Sequence, residues 1–389
     1  MDLLYKKLNS RKVSEKEYNS VNDSIKKHYK IKKDISYYNP NLNLFTNYFN
    51  SDIAFNNNNK LRKLLNKKQR MSVIGYFYNA LIKNKNNNCF YKRVFVKEIP
   101  LFGPELAEMY YNYDSFNMEA INNKIQNTLY NLVSPQNTEI LVNYLISKLV
   151  ELNISPNFCE YYGCYNVILD KFTFDITDHD DIQAVLGDIV KNISKDSYNI
   201  IRNKEGVFLE YRDMPVYLLA TEKVDYDVSF LEENNEFNIN ILKSMCYQIF
   251  SSIIIMYSTF GIKHNDLHFG NIMLQETNRE YLYYNINGNN YRVPTFGYIV
   301  KIIDWGRSTY NFNGFKSENT IFNYDSECFG QFVKNTINNR GRKVIPIYKE
   351  KWTDIGMVSY SILHEYPKYH NTDLGRMLIK NVTTIDKKI

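Results

Sequence analysis

Apolar positions recur along this chain with two distinct periods. Ile239, Leu242, Cys246, Ile249, Ile253 and Met256 follow helical spacing and predict a long buried helix ending near Gly261. Thr138–Leu152 predicts a second helix, with Leu141, Leu145, Leu149 and Leu152 on one face and Thr138 as N-cap. Val73–Leu81 and Arg93–Ile99 read as strands around a polar turn at Lys83–Asn88. Pro215–Val224 is a short apolar run suited to a buried strand that leads into a connection. Ile272–Leu274 and Tyr298–Ile303 are two further apolar segments, each beside a polar motif. Residues 1–70 differ from all of these. They are polar, basic and Asn-rich with scattered aromatics such as Tyr37, Tyr38, Phe45 and Phe49, and read as a helical or partly ordered extension without chemistry of its own. No internal repeat is visible.

Composition changes this picture little. The 389 residues suffice for two lobes and a large core, with 44% hydrophobic and 23% charged residues. Asn, Lys, Ile and Tyr are abundant, as in AT-rich genomes, so runs such as Asn56–Asn59 are read as loop filler. The net charge of +6 is spread among Asn-rich segments rather than set in one stripe, which argues against nucleic-acid binding. Cys89, Cys159, Cys164, Cys246 and Cys328 form no CxxC pair and fit free thiols in a reducing compartment. The charged N-terminus is unlike a signal peptide, and the most apolar stretch, Ile249–Tyr257, is too short to span a bilayer. A soluble intracellular protein without membrane attachment is expected.

The chemistry concentrates after the long helix. His264-Asn265-Asp266-Leu267-His268-Phe269-Gly270-Asn271 has the spacing H-x-D-x-x-x-x-N. A carboxylate at Asp266 can orient an acceptor hydroxyl and take its proton. A carboxamide five residues on, Asn271, can turn its oxygen to a hard cation such as Mg²⁺. His264 is expected to pack and bond the loop backbone. A second motif, Val300-Lys301-Ile302-Ile303-Asp304-Trp305-Gly306, is an apolar strand ending in Asp-aromatic-Gly; it resembles the D-F-G motif of protein kinases, which implies Asp304 as the other metal ligand.

Together these motifs resemble the protein-kinase superfamily, and the Asp-Leu-His-x-Gly-Asn variant resembles haspin-type kinases and divergent kinase-like proteins of giant DNA viruses. The resemblance covers about residues 70–365 in outline and is specific over about 240–310. Tyr283–Pro294, with an Asn287-Gly288 turn, resembles the insertion those proteins carry between the two motifs. The resemblance implies an α+β, two-lobed kinase-like fold: an extension over 1–70, a small β-rich lobe with helical insertions over 71–224, and a mainly helical lobe over 225–389. It implies ATP and Mg²⁺ as cofactors and a protein Ser/Thr hydroxyl as acceptor. Val94-Phe95-Val96-Lys97 resembles the strand whose Lys grips the α/β-phosphates, making Lys97 the ATP lysine. Val73–Ala80 stands where a phosphate-covering loop belongs, with Gly75 as its one glycine in place of three.

Glu139 is the chosen helical partner of Lys97, with Glu105 and Glu119 as rivals. Thr221-Glu222-Lys223-Val224 stands at the hinge, where the backbone of Glu222 and Val224 would meet adenine. No A-P-E motif precedes Asp354-Ile355-Gly356, read as the start of a central helix, so an unusual activation segment is implied. His268 stands where many such kinases carry a Lys, and is read either as a phosphate donor or as packing. His179, in Thr177-Asp178-His179-Asp180-Asp181, is read as part of a solvated acidic turn, and Cys159 and Cys164 as small core residues. Two other readings stay open: a small-molecule kinase of the aminoglycoside or choline type, and a pseudokinase acting as a binding module.

Overall fold

In the computed structural model the chain is α+β, with one large strand-rich sheet, smaller sheets and several helices. The structure describes residues 11–12, 23–30, 53–54, 57–66, 69–72, 75–101, 131, 133–177, 198–312, 315–323, 328 and 351–388. They fall into two compact units, one drawn from residues 1–132 and 161–223, the other from 133–160 and 224–389.

The first unit is a seven-stranded antiparallel sheet. Its spatial order is Asn59–Leu64, Gly75–Asn84, Cys89–Pro100, Gly206–Glu222 and Tyr161–Asp175, with Gln69–Ser72 also on Gly75–Asn84 and Tyr198–Asn203 also on Gly206–Glu222. Side chains alternate between faces along each strand. Tyr78, Ala80 and Ile82, then Val94 and Val96, then Val216, Leu218 and Ala220 therefore fall on one face and form its buried core. Each such aliphatic side chain removed from water contributes roughly 1.5–3 kcal/mol before chain entropy is counted. The Lys83–Asn88 turn closes as expected, and its asparagines build it. Asn84 Oδ1 accepts the N–H groups of Asn86 and Asn88, and Asn87 takes the left-handed conformation at φ 65°.

The extension reading of residues 1–70 needs correction at its end. Asn59–Leu64 is a strand of the sheet, and Ile25, Tyr29, Leu61 and Leu64 enter the core cluster. Only two apolar residues mark that strand among Asn, Lys and Arg, so its pattern is faint in the sequence.

The second unit is built on the long helix Ile239–Phe260. Asn238 caps its start by accepting from Asn240 and Ile241, and Gly261 ends it at φ 60°. A side chain at Gly261 would also strike the Asn311 carbonyl, so glycine is needed twice over. At 22 residues this helix is long and apolar enough to cross a membrane, unlike the shorter stretch read from the sequence, but most of it is buried in its own unit as a core helix. Beside it lie a three-stranded antiparallel sheet in the order Tyr226–Asp227, Ile272–Glu276 and Tyr298–Ile302, and the hairpin Tyr281–Ile286 with Asn289–Pro294. That hairpin turns at Asn287 (φ 52°) and Gly288 (φ 82°), both left-handed as the Asn-Gly pair requires. Helices Thr353–Glu365 and Asp373–Lys388 complete the unit.

The helix Pro135–Glu151, inside the 71–224 stretch, groups with this second unit. Its cap is Ser134, whose hydroxyl accepts from Asn137 N–H at 3.2 Å, followed by Pro135 at the first helical position. Thr138, the residue expected there, sits inside the helix. The one-sided leucine pattern also understates its burial. Asn137 through Leu149 are all buried, including Lys148, which pairs with Glu151 at 2.8 Å.

Candidate functional site

The loop His264–Asn271 is held from three directions within the second unit. Asp354, in the first turn of Thr353–Glu365, accepts the His264 N–H on one carboxylate oxygen at 2.7 Å and the Asn265 N–H on the other at 2.8 Å. Two turns along the same helix, Ser361 Oγ accepts the Phe269 N–H at 2.9 Å. Burial pushes the Asp354 carboxyl up from its ordinary value, while His264 and the two N–H bonds pull it down. Asp354 thus anchors the loop by matching two backbone donors that would otherwise be buried unpaired.

His264 is fully buried and bonds the loop to the strand end. Its Nε2 donates to the Ile303 carbonyl at 2.8 Å, and its Nδ1 accepts the Asp266 N–H at 3.3 Å. The Trp305 ring lies 4.7 Å from the His264 ring and is itself 1% exposed. The aromatic residue after Asp304 is thus a core anchor.

The two motifs meet through the backbone. Ile272–Glu276 pairs with Tyr298–Ile302, and Ile303 N–H donates to the Asn271 carbonyl at 3.1 Å. Asn271 is buried, and its amide donates to the Asp266 carbonyl at 2.9 Å. That bond fixes which end of the amide is nitrogen and which is Oδ1, an oxygen of the hard kind that suits Mg²⁺. Asp304, the residue after Ile303, is exposed and adopts φ 64°, a left-handed conformation uncommon outside glycine. Such backbone costs on the order of 1 kcal/mol and clusters at functional sites. Asp266 accepts from Arg307 Nη1 at 3.0 Å on Oδ1, with the carboxylate 22% exposed.

The segment after Gly306 is tied down by neutral groups. Buried Asn265 donates through Nδ2 to the Arg307 carbonyl at 3.0 Å and to Thr309 Oγ1 at 3.1 Å. Asn319 donates to the carbonyls of Gly306 and Ser308, both at 2.8 Å. Glu139 is buried, in the second turn of its helix. A Cβ placed on Gly306 would lie 3.6 Å from Glu139 Oε2 and 4.0 Å from Asp304 Oδ1. The second unit therefore brings Glu139, Asp304, Asn271 and Asp266 into one neighbourhood. His268 is exposed, with Nδ1 accepting the Gly270 N–H at 3.1 Å, so packing does not account for it.

The first unit brings Gly75 and Lys97 together by register: they are direct partners across the strands Gly75–Asn84 and Cys89–Pro100. Both point to the face opposite Val94 and Val96, with Phe77 and Phe95, whose rings are 5.2 Å apart. Gly75 has a packing reason as well. A Cβ there would meet the Phe95 ring and the Val96 carbonyl at 2.6 Å. Glu222 ends its strand opposite Val94 and pairs with Lys92 at 3.6 Å. Val224, buried, is the first residue of the second unit after the chain leaves the first.

Val73, Ile74, Glu105, Glu119 and the acidic turn around His179 lie outside the described residues. Cys159 and Cys164 are buried as expected. Among the described residues no group of three or more His, Cys, Asp or Glu side chains could hold a metal. The donor set at Asn271 and Asp304 is of a different kind, one amide oxygen and one carboxylate, which suits a Mg²⁺ that keeps waters and phosphate oxygens. Sequence reasoning missed Asp354 as the loop's anchor, Arg307 beside Asp266, and the ties from Asn265 and Asn319.

No family model matches the chain. Among curated proteins, serine/threonine-protein kinase haspin of Mus musculus is 40% identical over 63 residues, covering 16% of this chain and 8% of the haspin. Haspin of Bos taurus is 37% identical over 68 residues, covering 18% and 9%. A probable serine/threonine-protein kinase of Invertebrate iridescent virus 6 is 26% identical over 122 residues, covering 29% and 22%. The matched stretches thus span under a tenth of either haspin. Over those stretches the chain resembles the haspin-like serine/threonine kinases.

Proposed function

We propose that this protein is an ATP-dependent serine/threonine protein kinase with a two-lobed kinase fold. The observation that carries the reading is the 3.1 Å bond from Ile303 N–H to the Asn271 carbonyl, which ties the backbone of the loop's last residue to the residue before Asp304. Asp266 is assigned as the base that orients the acceptor hydroxyl and takes its proton. Asn271 Oδ1 and Asp304 would hold Mg²⁺, which when bound neutralises charge on the triphosphate. Lys97 is assigned to the α/β-phosphates with Glu139 as its partner, and the backbone of Glu222 and Val224 to adenine. The register of Lys97 opposite Gly75 and the burial of Glu139 support the first of these assignments. With so little covalent work to do, the protein's contribution is positioning and charge stabilisation.

The test is transfer of labelled phosphate from Mg²⁺–ATP to protein and small-molecule acceptors by wild type and Asp266→Asn. Label on Ser or Thr of protein acceptors is expected, with a loss of at least about 100-fold in the variant. Label on small molecules alone would move the acceptor assignment to a small-molecule kinase. Undiminished transfer by Asp266→Asn would remove the base.

A further inference from the structure

The mechanism just given uses no residue beyond Gly306, yet a cation on the proposed base comes from there. Arg307 Nη1 donates to Asp266 Oδ1 at 3.0 Å. An ion pair this exposed, 26% for Arg307 and 22% for Asp266, is worth little by itself, since two mobile side chains lose entropy in meeting. Here the backbones that carry the two partners are not independently mobile. The Arg307 carbonyl is held by Nδ2 of Asn265, a fully buried side chain adjacent in sequence to Asp266. The Asn265 N–H is held in turn by the buried Asp354 carboxylate. Arg307 and Asp266 thus rise from one backbone frame, closed into a ring by the Asn265 side chain, so the main-chain position from which the guanidinium reaches Asp266 is already fixed.

The chemical consequence follows from which oxygen is taken. Oδ1 is engaged by Arg307, while Oδ2 accepts no hydrogen bond among the described residues. The Asp266 carbonyl and N–H are also committed, to Asn271 Nδ2 and His264 Nδ1. A carboxylate held by one oxygen can still rotate about its bond to the chain only by breaking the Arg307 contact. Its free oxygen is therefore aimed rather than merely available.

We infer that Arg307 is a positioning residue for the proposed base, fixing Asp266 through Oδ1 so that Oδ2 faces the acceptor hydroxyl. The inference rests on Asp266 being that base. In this role Arg307 acts through the Asp266 carboxylate, so its removal slows transfer without weakening ATP binding. A planar guanidinium also fits a carboxylate edge in a way that a lysine ammonium on its shorter-reaching, rotating head does not, so lysine should rescue only in part.

The experiment is a kinetic cycle over wild type, Arg307→Ala, Arg307→Lys, Asp266→Asn and the Asp266→Asn/Arg307→Ala double variant, with thermal stabilisation by Mg²⁺–ATP recorded for each. Arg307→Ala is expected to lower kcat about tenfold, with the KM for ATP unchanged, and Arg307→Lys to recover part of that loss. In the Asp266→Asn background, removing Arg307 should cost nothing further, because a residue acting through the carboxylate has nothing left to act on. Arg307→Gln keeps the stem and a donor without the charge, and repeats the test should the alanine variant fold poorly. Wild-type kcat in both Arg307→Ala and Arg307→Gln, a change confined to KM, or a loss that multiplies with Asp266→Asn would each overturn the inference. Full activity in Asp266→Asn alone would instead overturn the base assignment on which it stands.

Discussion

The two units hold their candidate residues by different physical means. In the first, Gly75, Lys97 and Glu222 are placed by strand register and by which face each side chain must take. In the second, Asp266, Asn271 and Asp304 are placed by individual polar bonds to the backbone and to buried side chains. Register is a collective property: many ladder bonds share the task, and slipping by one residue would turn the whole core face outward. A loop has no such redundancy. Its geometry rests on a few bonds, each of which leaves an unpaired buried group when lost. The second unit should therefore be the more sensitive to single polar substitutions, and the first to changes of volume between strands.

The strongest challenge to this contrast is Asp354→Asn. An amide offers one acceptor where the loop presents two N–H donors, and sets its own NH₂ against the second. A loss of about 2–3 kcal/mol in stability is expected, together with a fall in phosphate transfer, although position 354 contacts no proposed ligand. Chemical denaturation monitored at Trp305 and Trp352 measures the first effect. If both properties were unchanged, the loop would not depend on its anchor, and the contrast would fail on that side.

Gly75→Ala probes the sheet. The added methyl would sit 2.6 Å from the Phe95 ring and from the Val96 carbonyl. The ring can turn, but the carbonyl belongs to the neighbouring strand, so a cost of about 1–2 kcal/mol is expected from overpacking. The KM for ATP should rise as well, because the displaced strand carries Lys97 directly opposite. A neutral effect on stability would show that the strands yield more readily than register suggests.

The same contrast explains what was legible in the sequence. The long helix, the strands around Lys97 and the Asn287-Gly288 hairpin are periodic or turn signals, and they stand where the pattern put them. The Asp266–Asn271 spacing is local, and a local bond realises it. What was missed is long-range and aperiodic. Asp354 lies about 90 residues from the N–H groups it accepts, and nothing in its neighbours distinguishes it from a first-turn acid. Arg307 meets Asp266 across 41 residues. Thr138 was expected as the cap that Ser134 in fact supplies, because a hydroxyl beside a leucine stripe looks alike at either place. The Pro135 that follows Ser134 was the signal available to decide it. Asn59–Leu64 was hidden by composition, its two buried leucines set among Asn, Lys and Arg.

The central claim is that Asn271 and Asp304 share one metal-bound triphosphate while Asp266 serves the acceptor. Thermal stabilisation by ATP, with Mg²⁺ and then with the metal chelated, tests it most directly in wild type, Asp304→Ala and Asp266→Asn. At a hundredfold excess of nucleotide over its Kd, binding stabilises the folded state by about 2.7 kcal/mol. The account predicts a metal-dependent gain of that order in wild type, its near-complete loss in Asp304→Ala and its retention in Asp266→Asn. An Asp304→Ala variant that keeps the full metal-dependent gain would contradict it.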